Sequence, residues 1–244
     1  MKLYVLDLLF TFGEREDHIY PVVLQTSTET ILVDGGYAGF TPLLETALQQ
    51  EGLSLRALTG MLITHHDIDH MGCAYELKKA YPNLRIYTSV GERAYVEGQE
   101  KSLRLQQAEL LYDTLPEEHK SGARAFQELL QTMQPVQVDA VFADNEVPAI
   151  LPGVQIIHTP GHMPGHISLY ISEAKTLIAA DALVYEDDKL EIANPSFTLD
   201  LPQALVTVQK LQQLAIDKLV CYHGGVVDTA VQARLKQLLD RYGV

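Results

Sequence analysis

The sequence predicts an α+β fold in which two sheets pack face to face with helices outside. Three observations carry that expectation. Short apolar runs recur along the chain, and several end on histidine or aspartate: Gly60-Met61-Leu62-Ile63, Val154-Gln155-Ile156-Ile157, Thr176-Leu177-Ile178-Ala179-Ala180 and Lys218-Leu219-Val220-Cys221-Tyr222. Stretches with helical spacing of apolar residues lie between and after them. The chain has 244 residues, 47% hydrophobic and 20% charged, which suits one large domain with a sizeable core.

The elements follow in order. Residues 1–34 read as strands, with Tyr20–Gln25 and Thr30–Asp34 paired across the polar run Thr26-Ser27-Thr28-Glu29. Gly35-Gly36 ends that hairpin, and Thr41-Pro42 opens a helix with Thr41 as its cap and Pro42 at the first helical position. Leu43, Leu44, Ala47 and Leu48 keep helical spacing, and Gly52 stops it. Gly60–Ile63 reads as a buried strand and Met71–Ala80 as the helix after it. Residues 91–134 are rich in Gln, Glu, Leu and Ala. There Ala123, Phe126, Leu129, Leu130 and Met133 form one apolar stripe, with Leu103, Gln107, Leu110 and Leu111 suggesting a partner helix. This pair reads as a helical insertion within a single domain spanning 1–244. It either packs on the scaffold or serves as a lid or dimer contact that frames the pocket. Strands return at 136–142, 154–158, 167–171, 176–180 and 218–222, and helices close the chain at 202–214 and 229–241.

Charge narrows the function. The net charge is −14, which argues against a nucleic-acid surface, since that needs a basic stripe. No apolar run approaches the ~20 residues of a membrane span. The N-terminus reads as a first strand and not as a signal peptide, so the expected location is the cytoplasm. Cys73 and Cys221 lie too far apart in sequence to suggest a disulfide framework.

The chemistry concentrates in Thr64-His65-His66-Asp67-Ile68-Asp69-His70, at a strand-to-helix turn. Imidazoles and carboxylates there can converge on one point, as a catalytic metal with an open position for water requires. Further candidates lie at His158-Thr159-Pro160-Gly161-His162-Met163-Pro164-Gly165-His166, at Asp181 and at His223. A lone histidine at a strand end is usually a hydrogen-bonded surface residue, but four clusters in order are not explained that way.

This order of clusters resembles the metallo-β-lactamase superfamily of hydrolases, from Ile31-Leu32-Val33-Asp34-Gly35-Gly36 to His223. The resemblance implies a four-layer αββα sandwich. It also implies two divalent metal ions, zinc by preference, with iron or manganese as alternatives. Carried over position by position, one ion would take His65, Asp67 and His162 and the other Asp69, His70 and His223, with Asp181 between them. Asp67 stands where the family's His-x-His-x-Asp-His motif has its second histidine. That carboxylate would make an all-divalent, hydroxide-bridged centre neutral, a weaker Lewis acid with a preference for harder metals. His66 and His166 are expected to orient neighbouring groups and not to ligate.

The resemblance further implies a metal-bridging hydroxide that attacks a lactone, ester or related carbonyl of a small molecule, with Asp69 orienting it and accepting its proton. The segment around His162 is similar to acyl-homoserine lactonases and to glyoxalase II thioesterases. The lactonases carry a tyrosine three residues after the bridging aspartate; here Val184 holds that position and Tyr185 follows, so Tyr185 is the candidate to polarise the carbonyl. A di-iron redox protein and a phosphodiesterase are the alternative activities. Specificity is expected from 35–41, 91–134 and 185–201, where Asn194-Pro195-Ser196-Phe197 either lines the pocket or forms a plain loop. The oligomeric state is left open by the sequence, with a homodimer through the insertion as one candidate assembly.

Overall fold

The computed structural model describes residues 1–13 and 15–244. The chain opens with β1 (Lys2–Val5), a hairpin of β2 (Leu8–Phe12) and β3 (Arg15–Ile19), then β4 (Val22–Gln25) and β5 (Thr30–Val33). Next come α1 (Thr41–Gln50), β6 (Gly60–Leu62), α2 (Ile68–Met71), α3 (Ala74–Ala80) and β7 (Arg85–Ser89). The helical segment α4 (Arg93–Val96), α5 (Leu103–Tyr112) and α6 (Glu117–Gln131) leads to β8 (Ala140–Phe142). The second half runs β9 (Val154–His158), β10 (Ile167–Ile171), β11 (Thr176–Ala180), a hairpin of β12 (Val184–Glu186) and β13 (Lys189–Glu191), α7 (Leu201–Gln212), β14 (Lys218–Cys221), β15 (Gly225–Val227) and α8 (Val231–Tyr242).

Two sheets dominate, ordered β1-β4-β5-β6-β7-β8 and β15-β14-β11-β10-β9. Side chains alternate across each strand. In β5, Ile31 and Val33 face the other sheet, while Leu32 faces the helices outside. In β14, Val220 points between the sheets and Leu219 and Cys221 point outward. The central cluster joins Val22, Leu24, Ile31 and Val33 to Ile156, Leu169, Ile178 and Val220. On one outer face α1 and α3 pack Leu44, Leu48 and Leu77 against Leu32 and Met61. On the other, α7 and α8 pack Val208, Leu211, Leu235 and Leu238 against Leu177 and Leu219. The result is helix, sheet, sheet, helix. Both faces of the inner strands are buried, which explains their nearly unbroken apolar sequence.

Several details differ from the expectation. Phe40 flanks α1, Thr41 is its first residue, and the Thr41 hydroxyl donates to Glu76 Oε2 at 2.9 Å instead of capping. The helix expected over Met71–Ala80 is broken into α2 and α3, because the turn before it must present ligands. An added Cβ at Gly72 would lie 2.5 Å from the backbone nitrogen of Ala38, so this break is also a close backbone contact. Of the stretch 136–142, only Ala140–Phe142 is a strand. No helix among the described residues is long and apolar enough to cross a membrane.

Candidate metal centre

Strands β5, β6 and β7 are parallel, as are β11 and β14. Their carboxyl ends therefore deliver Asp34, the His65–His70 turn, Glu92, Asp181 and His223 to one edge of the sandwich. Two backbone irregularities aim the carboxylates. Asp34 has φ 56 and Ala180 φ 47, both left-handed conformations rare outside glycine. The β11–β14 register shifts between Ile178 and Ala180, and this bulge turns Asp181 toward the histidines. Gly161, with φ +136, lies against Ala204, where a Cβ would meet backbone at 2.4 Å; only glycine lets the His162 loop pass α7 so closely.

All seven expected ligands come together. Three groups have ligand atoms within 4.8 Å of one another: His65, Asp67 and His162; His65, His70 and Asp181; Asp69, His70 and His223. Asp181 sits between the subsites, with Oδ1 3.3 Å from His70 Nε2 and Oδ2 3.6 Å from His162 Nε2. His223 Nε2 lies 3.1 Å from Asp69 Oδ2.

The donor set fits a cation on one decisive observation. His65 Nε2, His70 Nε2 and Asp181 Oδ1 are buried without any hydrogen-bond partner among the described residues, and they face one another. The tautomers follow from their neighbours. Thr64 Oγ1 donates to Asp34 Oδ2 at 2.8 Å, so it accepts from His65 Nδ1 at 3.0 Å. His70 Nδ1 donates to Asp34 Oδ2 at 2.9 Å. Both rings therefore turn Nε2 inward, as metal ligands require. Burial alone would lower the His70 imidazole, but Asp181, Asp69 and Asp34 raise it well above its ordinary value. Burial likewise opposes His223, and Asp181 and Asp69 bring it up to about 9.

The two orienting histidines keep that role. His166 Nε2 accepts from the Asp181 backbone N–H at 3.1 Å, and its Nδ1 donates to Thr159 Oγ1 at 2.8 Å. Burial, helped by the neighbouring His65 and His162, pushes its imidazole well below the ordinary value, so the ring is neutral. His66 Nε2 accepts from Leu103 N at 3.2 Å, which leaves Nδ1–H to donate to the buried Glu92. His66 thereby ties the first turn of α5 to the ligand loop.

Asp34 was not among the expected site residues; the signal was a carboxylate ending the apolar run of β5. Asparagine at position 34 keeps the shape but removes the charge behind His70 and Thr64. Asp34→Asn is expected to weaken metal affinity about 10- to 100-fold, read by competition with a chelator. Unchanged affinity would show that Asp34 only fills space.

Arg104 was also missed, and it changes the reading of Asp67. It projects from α5 and is only 3% exposed. Its Nε and a terminal nitrogen donate to Asp67 Oδ1 and Oδ2 at 3.1 and 2.7 Å. Burial alone would raise the Asp67 carboxyl, but Arg104 and the hydrogen bond from His162 hold it well below the usual carboxylate range. Carboxylate plus guanidinium carry the same net charge as one neutral imidazole, so the expectation of a neutral centre is corrected. The only sequence signal was an arginine between Leu103 and Leu105 on a face that has to be buried.

Tyr185 is corrected as well. Because β12 is a regular strand, adjacent residues face opposite sides. Val184 lines the cavity, whereas the Tyr185 hydroxyl donates to Asp188 and its ring lies under Arg234 at 5.4 Å. The phenols that do line the cavity are Tyr37, close to the carboxylates, and Tyr242.

The family model described as the metallo-beta-lactamase superfamily matches residues 15–223. This chain belongs to the metallo-beta-lactamase superfamily. It is 29% identical over 212 residues to the probable metallo-hydrolase YflN of Bacillus subtilis, covering 80% of this chain and 75% of that protein. It is 35% identical over 79 residues to an N-acyl homoserine lactonase of a Bacillus species, 31% of each chain. A solved metallo-beta-lactamase family protein of Thermus thermophilus superposes with a TM-score of 0.75 at 22% identity, covering 99% of this chain and 79% of that one. Family, relatives and buried ligand clusters together make this superfamily member a metal-dependent hydrolase in general class.

Proposed function

We propose that this superfamily member hydrolyses a neutral lactone or ester that carries an apolar group. The shape and charge of the cavity over the ligands support this reading. The cavity has a volume of about 850 Å³. Its floor holds Asp67, Asp69, Asp181, His162 and His223. Its walls are apolar: Phe126, Leu129 and Leu130 from α6 on one side, Ile192, Pro195 and Phe197 on the other. The insertion therefore frames the pocket, and the 194–197 loop lines it. Among the described lining residues Arg104 is the sole arginine or lysine, and Asp67 already engages it. Glu186 and Glu191 add negative charge. Such a lining disfavours a glutathione carboxylate or a phosphodiester, which need free cations.

Two bound divalent ions, zinc by the donor set, would be held by the two ligand groups. When bound they supply an acidified water and a Lewis acid for the carbonyl. Asp69 lines the cavity beside His223 and is the carboxylate to take the proton of the attacking water. Burial, then the charge of Asp69, raises the Tyr37 phenol, so it stays protonated as a donor to the carbonyl oxygen. The di-iron alternative needs Asp67 as an uncompensated carboxylate, and Arg104 compensates it. The proposed homodimer would use the outer face of α5, where Leu110 is 79% exposed.

A panel tests the reading: medium-chain lactones and acyl esters against an S-acyl glutathione and a phosphodiester. Neutral apolar substrates are expected to lead in kcat/KM by about tenfold or more, the worth of one matched apolar contact or one unmet charge. Faster turnover of the glutathione thioester or the phosphodiester would overturn it.

A further inference from the structure

We propose that Arg104 competes with a metal ion for Asp67 and His162, so the two ligand groups load unequally. The group of Asp69, His70, Asp181 and His223 fills first. The group of His65, Asp67 and His162 fills only at higher metal concentration. This rests on the reading of the cluster as a metal centre, not on the choice of substrate.

The argument starts from one oxygen. Asp67 Oδ2 is the atom that faces the histidines, 2.9 Å from His162 Nε2 and 3.6 Å from His65 Nε2. The same oxygen accepts from the Arg104 guanidinium at 2.7 Å. The same guanidinium nitrogen also lies 3.2 Å from His162 Nε2. A fixed cation thus stands against two of the three donors of this group. An ion arriving there must share both donors with a positive charge a few ångströms away, in a buried site that salt screens poorly.

The guanidinium is not free to swing aside. Its other terminal nitrogen donates to Gln107 Oε1 at 2.7 Å, and it lies over the Phe197 ring at 5.3 Å. Its helix is anchored at the start, where Leu103 N donates to His66 Nε2 and Leu105 N to Ser102 Oγ. Parting Arg104 from Asp67 would leave a buried charge without a partner.

The other group has no such competitor. Around Asp69, His70, Asp181 and His223 the charged contacts among the described residues are with one another, with Asp34 and, from Asp181, with His162; no Arg or Lys is among them. Two of its donor atoms, His70 Nε2 and Asp181 Oδ1, have no hydrogen-bond partner among the described residues. In the singly loaded protein Arg104 would remain as the second positive centre on the cavity floor. Asp67 and Arg104 thus act as one unit, and neither is a simple stand-in for histidine.

The test titrates the metal-free protein with zinc alone, followed by competition with a chromophoric chelator. Wild type is expected to bind in two steps whose dissociation constants differ by about 100-fold or more, the scale of a poorly screened charge repulsion. Arg104→Met frees Asp67 and should tighten the weaker step by about tenfold or more. Asp67→His alone should weaken that step further, because the guanidinium loses its carboxylate. Asp67→His with Arg104→Met should give two steps of similar strength. Thermal melting of each metal-free variant checks folding; if Arg104→Met does not fold, the double variant and Arg104→Lys decide. Lysine keeps the charge and should keep the gap between the steps. Two equal steps in wild type, or an unchanged gap in a folded Arg104→Met or double variant, would overturn the inference. Absence of zinc binding in every protein would overturn the metal centre with it. None of these readouts uses turnover, so they leave the substrate proposal to its own assay.

Discussion

Asp181→Asn should release metal from both ligand groups and reduce hydrolysis by about 10³-fold or more. Asp181 approaches His70, His162 and His223 at 3.3, 3.6 and 3.7 Å, so it serves both subsites at once. Asparagine keeps the shape but removes the charge that holds cations between the histidines. Elemental analysis and kcat/KM on an acyl ester read the effect. Full metal content with a rate within tenfold of wild type would refute the bridging role. Protons compete for the same atoms. In the metal-free protein His223 titrates near 9, so below that pH the ring is protonated and must lose its proton to ligate. Apparent zinc affinity should therefore rise with pH throughout the range below about 9, where the His223 proton is lost. A flat profile would contradict this.

Glu92→Ala should cost about 3–5 kcal/mol of stability, the penalty for breaking a buried charge-assisted pair. Glu92 is fully buried. It accepts from the His66 backbone N–H at 2.9 Å and from His66 Nδ1. Alanine leaves both donors without a partner and opens a void beside Gly165, whose missing Cβ makes room for this carboxylate. The effect should spread, because His66 in turn receives Leu103 N at the start of α5, the helix that carries Arg104. Urea denaturation of the metal-free protein measures it. A loss under about 1 kcal/mol would mean that Glu92 is replaceable by water.

Histidines and aspartates at the ends of apolar runs were legible because each lies within a few residues of its strand. Strand direction then carries them to one edge of the sandwich. His65, Asp67, Asp69, His70, His162, Asp181 and His223 can be named from the sequence, and so can the apolar stripe of α6. The period of a strand also contained the answer for Tyr185, since a residue next to Val184 faces the other way.

What only the tertiary structure decided are contacts between segments that sequence spacing does not relate. Arg104 meets Asp67, Glu92 meets His66, and Asp34 meets both Thr64 and His70. In each case a charge at a position with no motif is buried because its partner is buried. A carboxylate read alone implied a neutral centre; with its guanidinium it does not. Sequence by itself determined the fold and which histidines and aspartates converge at the site, because hydrophobic periodicity and strand ends are local. The electrostatics of the site were decided by packing, because a buried charge takes its properties from whichever neighbour the fold brings against it.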